Sequence, residues 1–297
     1  MRLLAAGVTG DGLLDLARPL MPLDQDLIFG RAAHETVRYY EGAPFRLDAK
    51  LDRLTRSARM LGLPPVEPTA LRDLAERVAK AANGGAPARD TLMRLYWSSA
   101  QGPGESAVRR DRAKSRGLAM ALTVPEHLEA LRGRGIRLVS LASATDGSLR
   151  ASSPWLLPGA KVSGSAAASA AWFEARRRGA DDGVLVDLQG RVLEGPASNI
   201  WWRKDRTLFT PSPALGILPG ITSGAIAELA GDLGYEVGEG EFPLHELAGA
   251  DEAFVTSTVA EVIAATELDG EPIGAGSVGP AARELHCGLR ALARSDG

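Results

Sequence analysis

Between residues 137 and 256, short β-patterned runs arrive mostly in pairs, each pair folded about a tight turn. Residues 183–188 and 191–193 flank Gln189-Gly190, and residues 199–203 and 208–210 flank a second polar turn. Strands that double back in this way form antiparallel hairpins, and the helices between them must pack outside the sheet. Residues 165–178, 221–233 and 280–293 carry the helical pattern, the first stopped by Gly179. Residues 137–142 and 253–256 read as further strands. This order predicts an α+β fold rather than a doubly wound parallel sheet.

The first part of the chain is mixed as well. Residues 47–63 place Leu51, Leu54, Ala58 and Leu61 on one helical face, and Gly62 with Pro64-Pro65 ends the run. Residues 69–82 predict a second helix, and residues 92–97 and 118–124 predict strands. The polar stretch 102–117 separates those strands as a candidate lid, and 126–135 reads as a connection. The expected division is a small domain over 1–125, the connection over 126–135 and a larger domain over 136–297.

A net charge of −3 gives no reason to expect nucleic acid or a membrane surface as a partner. Cys287 is the only cysteine, so neither a disulfide framework nor a thiolate metal site is expected. The four histidines show no metal-ligand spacing. Glycine and acids interrupt the N-terminal stretch before a signal-peptide core forms, and the expectation is a cytoplasmic, metal-free protein.

Lysine is scarce here: only five of the 34 lysines and arginines are lysines. One of them, Lys161, is the only charged residue between Ala151 and Phe173, a run of small and apolar residues. Either its head snorkels to solvent, or its amine is kept for something arginine cannot do. An ammonium that loses hydration loses proton affinity, and the free amine is then a nucleophile able to form a Schiff base.

Three further features bear on that choice. Glu194 ends a strand in VLEGPASNIWW. It either faces solvent or turns inward, where it would hold a proton on a heterocyclic nitrogen. In LGILPGITSGAIAEL, Gly216 and Gly220 permit close backbone approach, and Ile221 and Thr222 open a helix whose free N–H groups would hold a phosphate. A simple capped turn is the alternative there. In FVTSTVAEV, Thr256, Ser257 and Thr258 form either turn chemistry or a second wall of the same cradle.

Taken in order, these blocks resemble the class IV, fold-type IV aminotransferases that use pyridoxal phosphate (PLP). That group holds branched-chain aminotransferases, D-amino acid aminotransferases and 4-amino-4-deoxychorismate lyases. The matching stretches are HETVRYYEGAPFRLDAKLDRLTRSARMLGL, Lys161, EARRRGADDGVLVDLQGRVLEGPASNIWW, TPSPALGILPGITS and ADEAFVTSTVAEV. The resemblance implies a two-domain enzyme with a small N-terminal domain and a larger, β-barrel-like C-terminal domain with outer helices. It implies Lys161 as the Schiff-base lysine and proton carrier, Glu194 on the pyridine nitrogen and Leu218 against the ring. Arg53, Ile221, Thr222 and Thr258, with Ser257, are implied around the phosphate. The implied reaction moves an amino group from a small amino acid or amine to a 2-oxo acid, in a homodimer. Aminodeoxychorismate lyase, which eliminates pyruvate, is the alternative.

The substrate side departs from the group's pattern. Arg31-Ala32-Ala33 replaces a GDG, and His34 stands where many relatives have Phe or Tyr, on a strand implied to line the pocket. Lys161 is followed by Val162 rather than Ser or Thr, and Ser165 replaces a tyrosine. Gly104 and Ser106 occupy the positions of an Arg and a His that grip the carboxylate in D-amino acid aminotransferases. Arg38 and Arg94 match arginines of branched-chain aminotransferases, although Leu92 replaces a tyrosine. If they face the pocket, these two are the candidates for a bidentate grip on a substrate carboxylate.

Overall fold

A computed structural model describes residues 1–10, 12–16, 25–84, 88–99 and 115–296. The chain divides into two compact units. One comprises Met1–Pro125, Ala160–Ser165 and Asp296–Gly297, and the other Glu126–Gly159 and Ala166–Ser295. The short segment carrying Lys161 thus clusters with the first unit.

The first unit is built on a six-stranded antiparallel sheet in the order Gly12–Leu13, Leu3–Val8, Arg116–Thr123, Thr91–Ser98, Ala33–Tyr40, Ala43–Pro44. Side chains alternate between faces along each strand. On one face Val37, Tyr39, Met93, Leu95, Trp97, Ala119 and Ala121 pack with the helices Leu47–Met60 and Pro68–Asn83. Those helices answer with Leu51, Leu54 and Ala58, and with Leu71, Leu74, Ala75 and Val78. Pro68 suits the first helical turn, and Gly84 closes the helix at φ 55°, where any other residue would be strained.

The second unit holds an eight-stranded mixed sheet. Its path runs Glu236–Gly240, Thr207–Pro211, Asn199–Lys204, Glu252–Ser257, Glu261–Leu268, Ile136–Ala142, Asp182–Val186, with Glu271–Pro272 paired to Glu261–Leu268. Its middle is antiparallel and includes the Asn199–Lys204/Thr207–Pro211 hairpin that the turn predicts. Both flanks are parallel, because the helices Ile221–Asp232 and Ala166–Arg177 lie in the crossovers. Beyond Asp182–Val186 the chain turns at Gly190 and returns, with Leu193 N donating to Leu185 O (2.9 Å) and Val192 N to Phe242 O (2.8 Å). Residues 190–194 thereby bridge the last strand to the segment following Glu236–Gly240, which gives the sheet its barrel-like character.

Some elements escape the sequence pattern. Leu3–Val8, Glu236–Gly240 and Glu261–Leu268 are strands without a predicted counterpart, and the 126–135 stretch contains the helix Leu128–Arg134 within the second unit. Of the candidate lid over 102–117, residues 102–114 lie outside the described residues, as do Gly104 and Ser106.

Candidate active site

In the first unit Lys161 is held by its backbone. Residues 160–165 run antiparallel along the start of Ala33–Tyr40: His34 N donates to Lys161 O (3.0 Å), Ser163 N to Ala32 O (2.9 Å) and Gly164 N to Gly30 O (3.1 Å). From the other side Lys161 N donates to Ser57 Oγ (3.0 Å), which itself donates to Arg53 O (2.9 Å) on the Leu47–Met60 helix. Gly164 is required: a Cβ there would overlap the backbone of Gly30. The small residues after Lys161 therefore answer a packing demand.

Register sorts the neighbouring side chains by face. Ala33 bridges Val162, so Lys161 stands opposite His34, while His34 pairs with Tyr96, Thr36 with Arg94 and Arg38 with Leu92. Residues paired across strands project to the same face, which puts Lys161, His34, Tyr96 and Arg94 together. His34 stacks on Tyr96 with centroids 5.7 Å apart, and its buried Nδ1 has no protein partner. Burial, with the charges of Lys161, Arg94 and Arg53, lowers the imidazole to about 4 against an opposing pull from Glu35, so the ring is neutral near pH 7. Arg38 is engaged elsewhere: its guanidinium pairs with Asp90 (3.0 Å) and lies over the Tyr40 ring.

Glu35 projects to the opposite face, toward the Leu47–Met60 helix. Arg53 binds it with two nearly parallel hydrogen bonds, Nε to Oε1 (2.7 Å) and Nη2 to Oε2 (2.9 Å), and the carboxylate is fully buried. Burial alone would raise Glu35, but the Arg53 hydrogen bonds and the charges of Arg53, Lys50 and Lys161 outweigh it and hold the carboxyl below its ordinary range. A guanidinium has five N–H donors, and this pair uses two while fixing the plane of the rest.

In the second unit the EGPASN and GILPGIT stretches are bound to each other. Glu194 Oε2 accepts Leu218 N (3.1 Å), and Asn199 Nδ2 donates to Leu218 O (2.9 Å), so both polar backbone groups of Leu218 are gripped by side chains. A Cβ on Gly220 would strike Asn199 Oδ1. Glu194 therefore turns toward Leu218, with Arg150 Nη1 3.6 Å from its Oε1. The helix Ile221–Asp232 begins at Gly220 with no side-chain cap. Its first N–H groups and the positive end of its dipole suit an anion. Asn199 also pairs in register with Thr256, whose Oγ1 is buried without a protein partner. Ser257 Oγ accepts Ala260 N (3.0 Å), which is turn chemistry. That turn closes on Glu261, at φ 60° and buried, whose carboxylate meets Arg132 (2.6 Å), His286 (3.2 Å) and Arg290 (3.3 Å).

Sequence reasoning passed over Glu35, Lys50, Ser57, Arg150, Asn199 and Glu261. Glu35, Lys50 and Ser57 lie inside HETVRYYEGAPFRLDAKLDRLTRSARMLGL, and Asn199 and Glu261 inside VLEGPASNIWW and FVTSTVAEV. Their partners lie far along the chain, which no local spacing reveals.

The first unit holds a backbone-anchored lysine and an arginine with an oriented guanidinium, and the second, taken by itself, an acid beside a backbone clamp and an uncapped helix start; each is a kind of group that an aldehyde cofactor bearing a phosphate uses. The residues present fit such a group. Comparison with known proteins agrees: the family model for amino-transferase class IV matches residues 32–268, and the chain belongs to that family. It is 29% identical to the aminodeoxychorismate lyase of Bacillus subtilis, over 84% of this chain and 82% of the relative. It also resembles a hypothetical aminotransferase from Mycobacterium tuberculosis in its PLP-bound form, at 26% identity and TM-score 0.88, covering 99% of this chain and 100% of that one. A third similarity is to the branched-chain aminotransferase of the thermophilic archaeon Thermoproteus uzoniensis with norvaline. There the identity is 26% and the TM-score 0.83, over 99% of this chain and 96% of that one.

Proposed function

We propose that this protein is a PLP-dependent aminotransferase that moves an amino group from a small amino acid or amine to a 2-oxo acid. The observation that carries the reading is the backbone lock on Lys161, which holds that residue opposite His34 on the sheet face that also carries Arg94. Likeness to aminotransferases over nearly the whole chain supports it. When bound, the cofactor supplies a carbonyl for the amine and an electron sink for the substrate Cα.

The chain's own residues do the rest. Lys161 would hold the cofactor and serve as the acid–base group for the substrate Cα proton; such positioned acid–base work contributes about 10²–10⁴-fold. Glu194 would keep a proton on the ring nitrogen, and its bond to Leu218 N holds the backbone of Leu218, the residue that would pack against the ring. Arg53, Ile221, Thr222, Ser257 and Thr258 bind the phosphate. His34 and Arg94 receive the substrate, and Arg38 on the same strand is paired with Asp90.

The second reading, aminodeoxychorismate lyase, is favoured by the similarity to the B. subtilis enzyme. Adding D- and L-amino acids and simple amines without a keto acid separates the two. A transaminase stops after one half-reaction, loses its visible absorbance with the right donor and recovers it with a 2-oxo acid. A protein that turns over aminodeoxychorismate with no keto acid is the lyase, and the aminotransferase reading then fails.

The assembly proposed is a homodimer in the cytoplasm. Trp155 is 78% and Phe173 66% exposed, and the alanine-rich helix Ala166–Arg177 buries only Ala175, so large apolar side chains here face solvent. Among the described residues no helix is long and apolar enough to cross a membrane. Trp155→Glu with Phe173→Glu is expected to give a monomer by light scattering; an unchanged dimer would exclude this face as the contact.

A further inference from the structure

Lys50 is 1% exposed, which is rare for a lysine and costly, yet no step above uses it. It lies three residues before Arg53 and seven before Ser57 on the Leu47–Met60 helix, and all three belong to that helix's buried stripe. The charged groups acting on it are Glu35 on Ala33–Tyr40, Arg53 on its own helix and Lys161 on the 160–165 segment. Glu35 and Arg53 cancel one another's charge, so the pair alone cannot balance a phosphate dianion.

We propose that Lys50 is a positioning residue of the phosphate site, whose amine takes up a proton from solvent when a phosphate dianion settles on Arg53. Burial lowers the amine from its ordinary value to about 7, with Arg53 and Lys161 adding to the effect and Glu35 opposing it. The amine is therefore poised where an added negative charge tips it to the ammonium. The ammonium then supplies the charge that the Glu35–Arg53 pair lacks and keeps Arg53 from being drawn back onto Glu35. The inference rests on Arg53 being the phosphate arginine.

The test titrates full-length protein, stripped of cofactor, with pyridoxine 5′-phosphate, which has no carbonyl to react with Lys161. A phosphate monoester is a dianion above about pH 7, since its second pKa is about 6. Calorimetry in buffers of different ionisation enthalpy should show uptake of up to about one proton per site, and affinity should fall by up to about tenfold per pH unit between about pH 7 and about pH 9. Lys50→Arg, charged throughout, should abolish the slope and bind more tightly than wild type at the high end. Lys50→Met should abolish the slope and bind weakly throughout. Fold stability gives a second reading. An unfolded lysine keeps its proton to about pH 10.4, so the unfolded state binds more protons above about pH 7 and the cofactor-free protein should gain stability as pH rises through that window. Lys50→Met should lose that gain. Proton uptake and slope persisting in Lys50→Met would overturn the proposal for Lys50 alone. Undiminished affinity in Arg53→Lys would overturn the phosphate assignment beneath it.

Discussion

Lys161→Ala is expected to yield a folded protein without turnover. The fold holds Lys161 through its backbone, by the bonds to His34 N and Ser57 Oγ, and alanine keeps both. Thermal midpoint should therefore stay close to wild type. In the proposed mechanism the amine does the chemistry, and losing it removes cofactor attachment as well as acid–base catalysis, the second alone worth on the order of 10²–10⁴-fold. Steady-state rates alongside a melting curve check this. A variant that retains its full rate would overturn the mechanism, and one that unfolds would show that the side chain carries packing.

Arg53→Ala should have the largest effect on stability. It strands a fully buried Glu35 carboxylate without the guanidinium that binds it twice. Removing one partner of a buried pair costs about 3–5 kcal/mol. Part of that loss is offset here by Lys50, whose proton affinity would rise beside the orphaned carboxylate. Adding Glu35→Gln removes the stranded charge, so denaturant unfolding should show the double variant more stable than Arg53→Ala. PLP affinity should remain low in both, because neither has the arginine proposed to bind the phosphate. Equal stability of single and double variants would mean that the carboxylate stranded by Arg53→Ala carries no net penalty.

How far the chain could be read by eye follows from how local each signal is. The Leu47–Met60 and Pro68–Asn83 helices and the Asn199–Lys204/Thr207–Pro211 hairpin are written in periodicity, glycine and proline, and they were legible. Glu261–Leu268 was not, because it is buried on both faces and reads as a continuous run with no alternation. Glu236–Gly240 is polar, a poor strand by composition, and exists because Thr207–Pro211 offers it a parallel edge. The chemistry divides in the same way. Lys161, Glu194 and the Gly220–Thr222 helix start were visible because each breaks its surroundings or follows a short motif. Lys50, Glu35 and Ser57 looked ordinary, although the scarcity of lysine that singled out Lys161 applied equally to Lys50. Their meaning comes from one helix face set against one strand, a pairing created only by folding.

The substrate side was the least legible part. His34 departs from the pattern of the family, and what it does depends on a stack with Tyr96, 62 residues away by the numbering, and on its loss of charge beside Lys161 and Arg94. A neutral ring there recognises by hydrogen bonding, where a charged one would recognise by attraction.

The central claim is that one amine, that of Lys161, carries the cofactor. Borohydride reduction of the PLP-loaded protein, followed by peptide mapping in a mass spectrometer, reads this directly. The account predicts a single phosphopyridoxyl label on Lys161 and none on Lys50, the other lysine of the cluster. A label on Lys50, or no covalent label with the cofactor still bound, would contradict it.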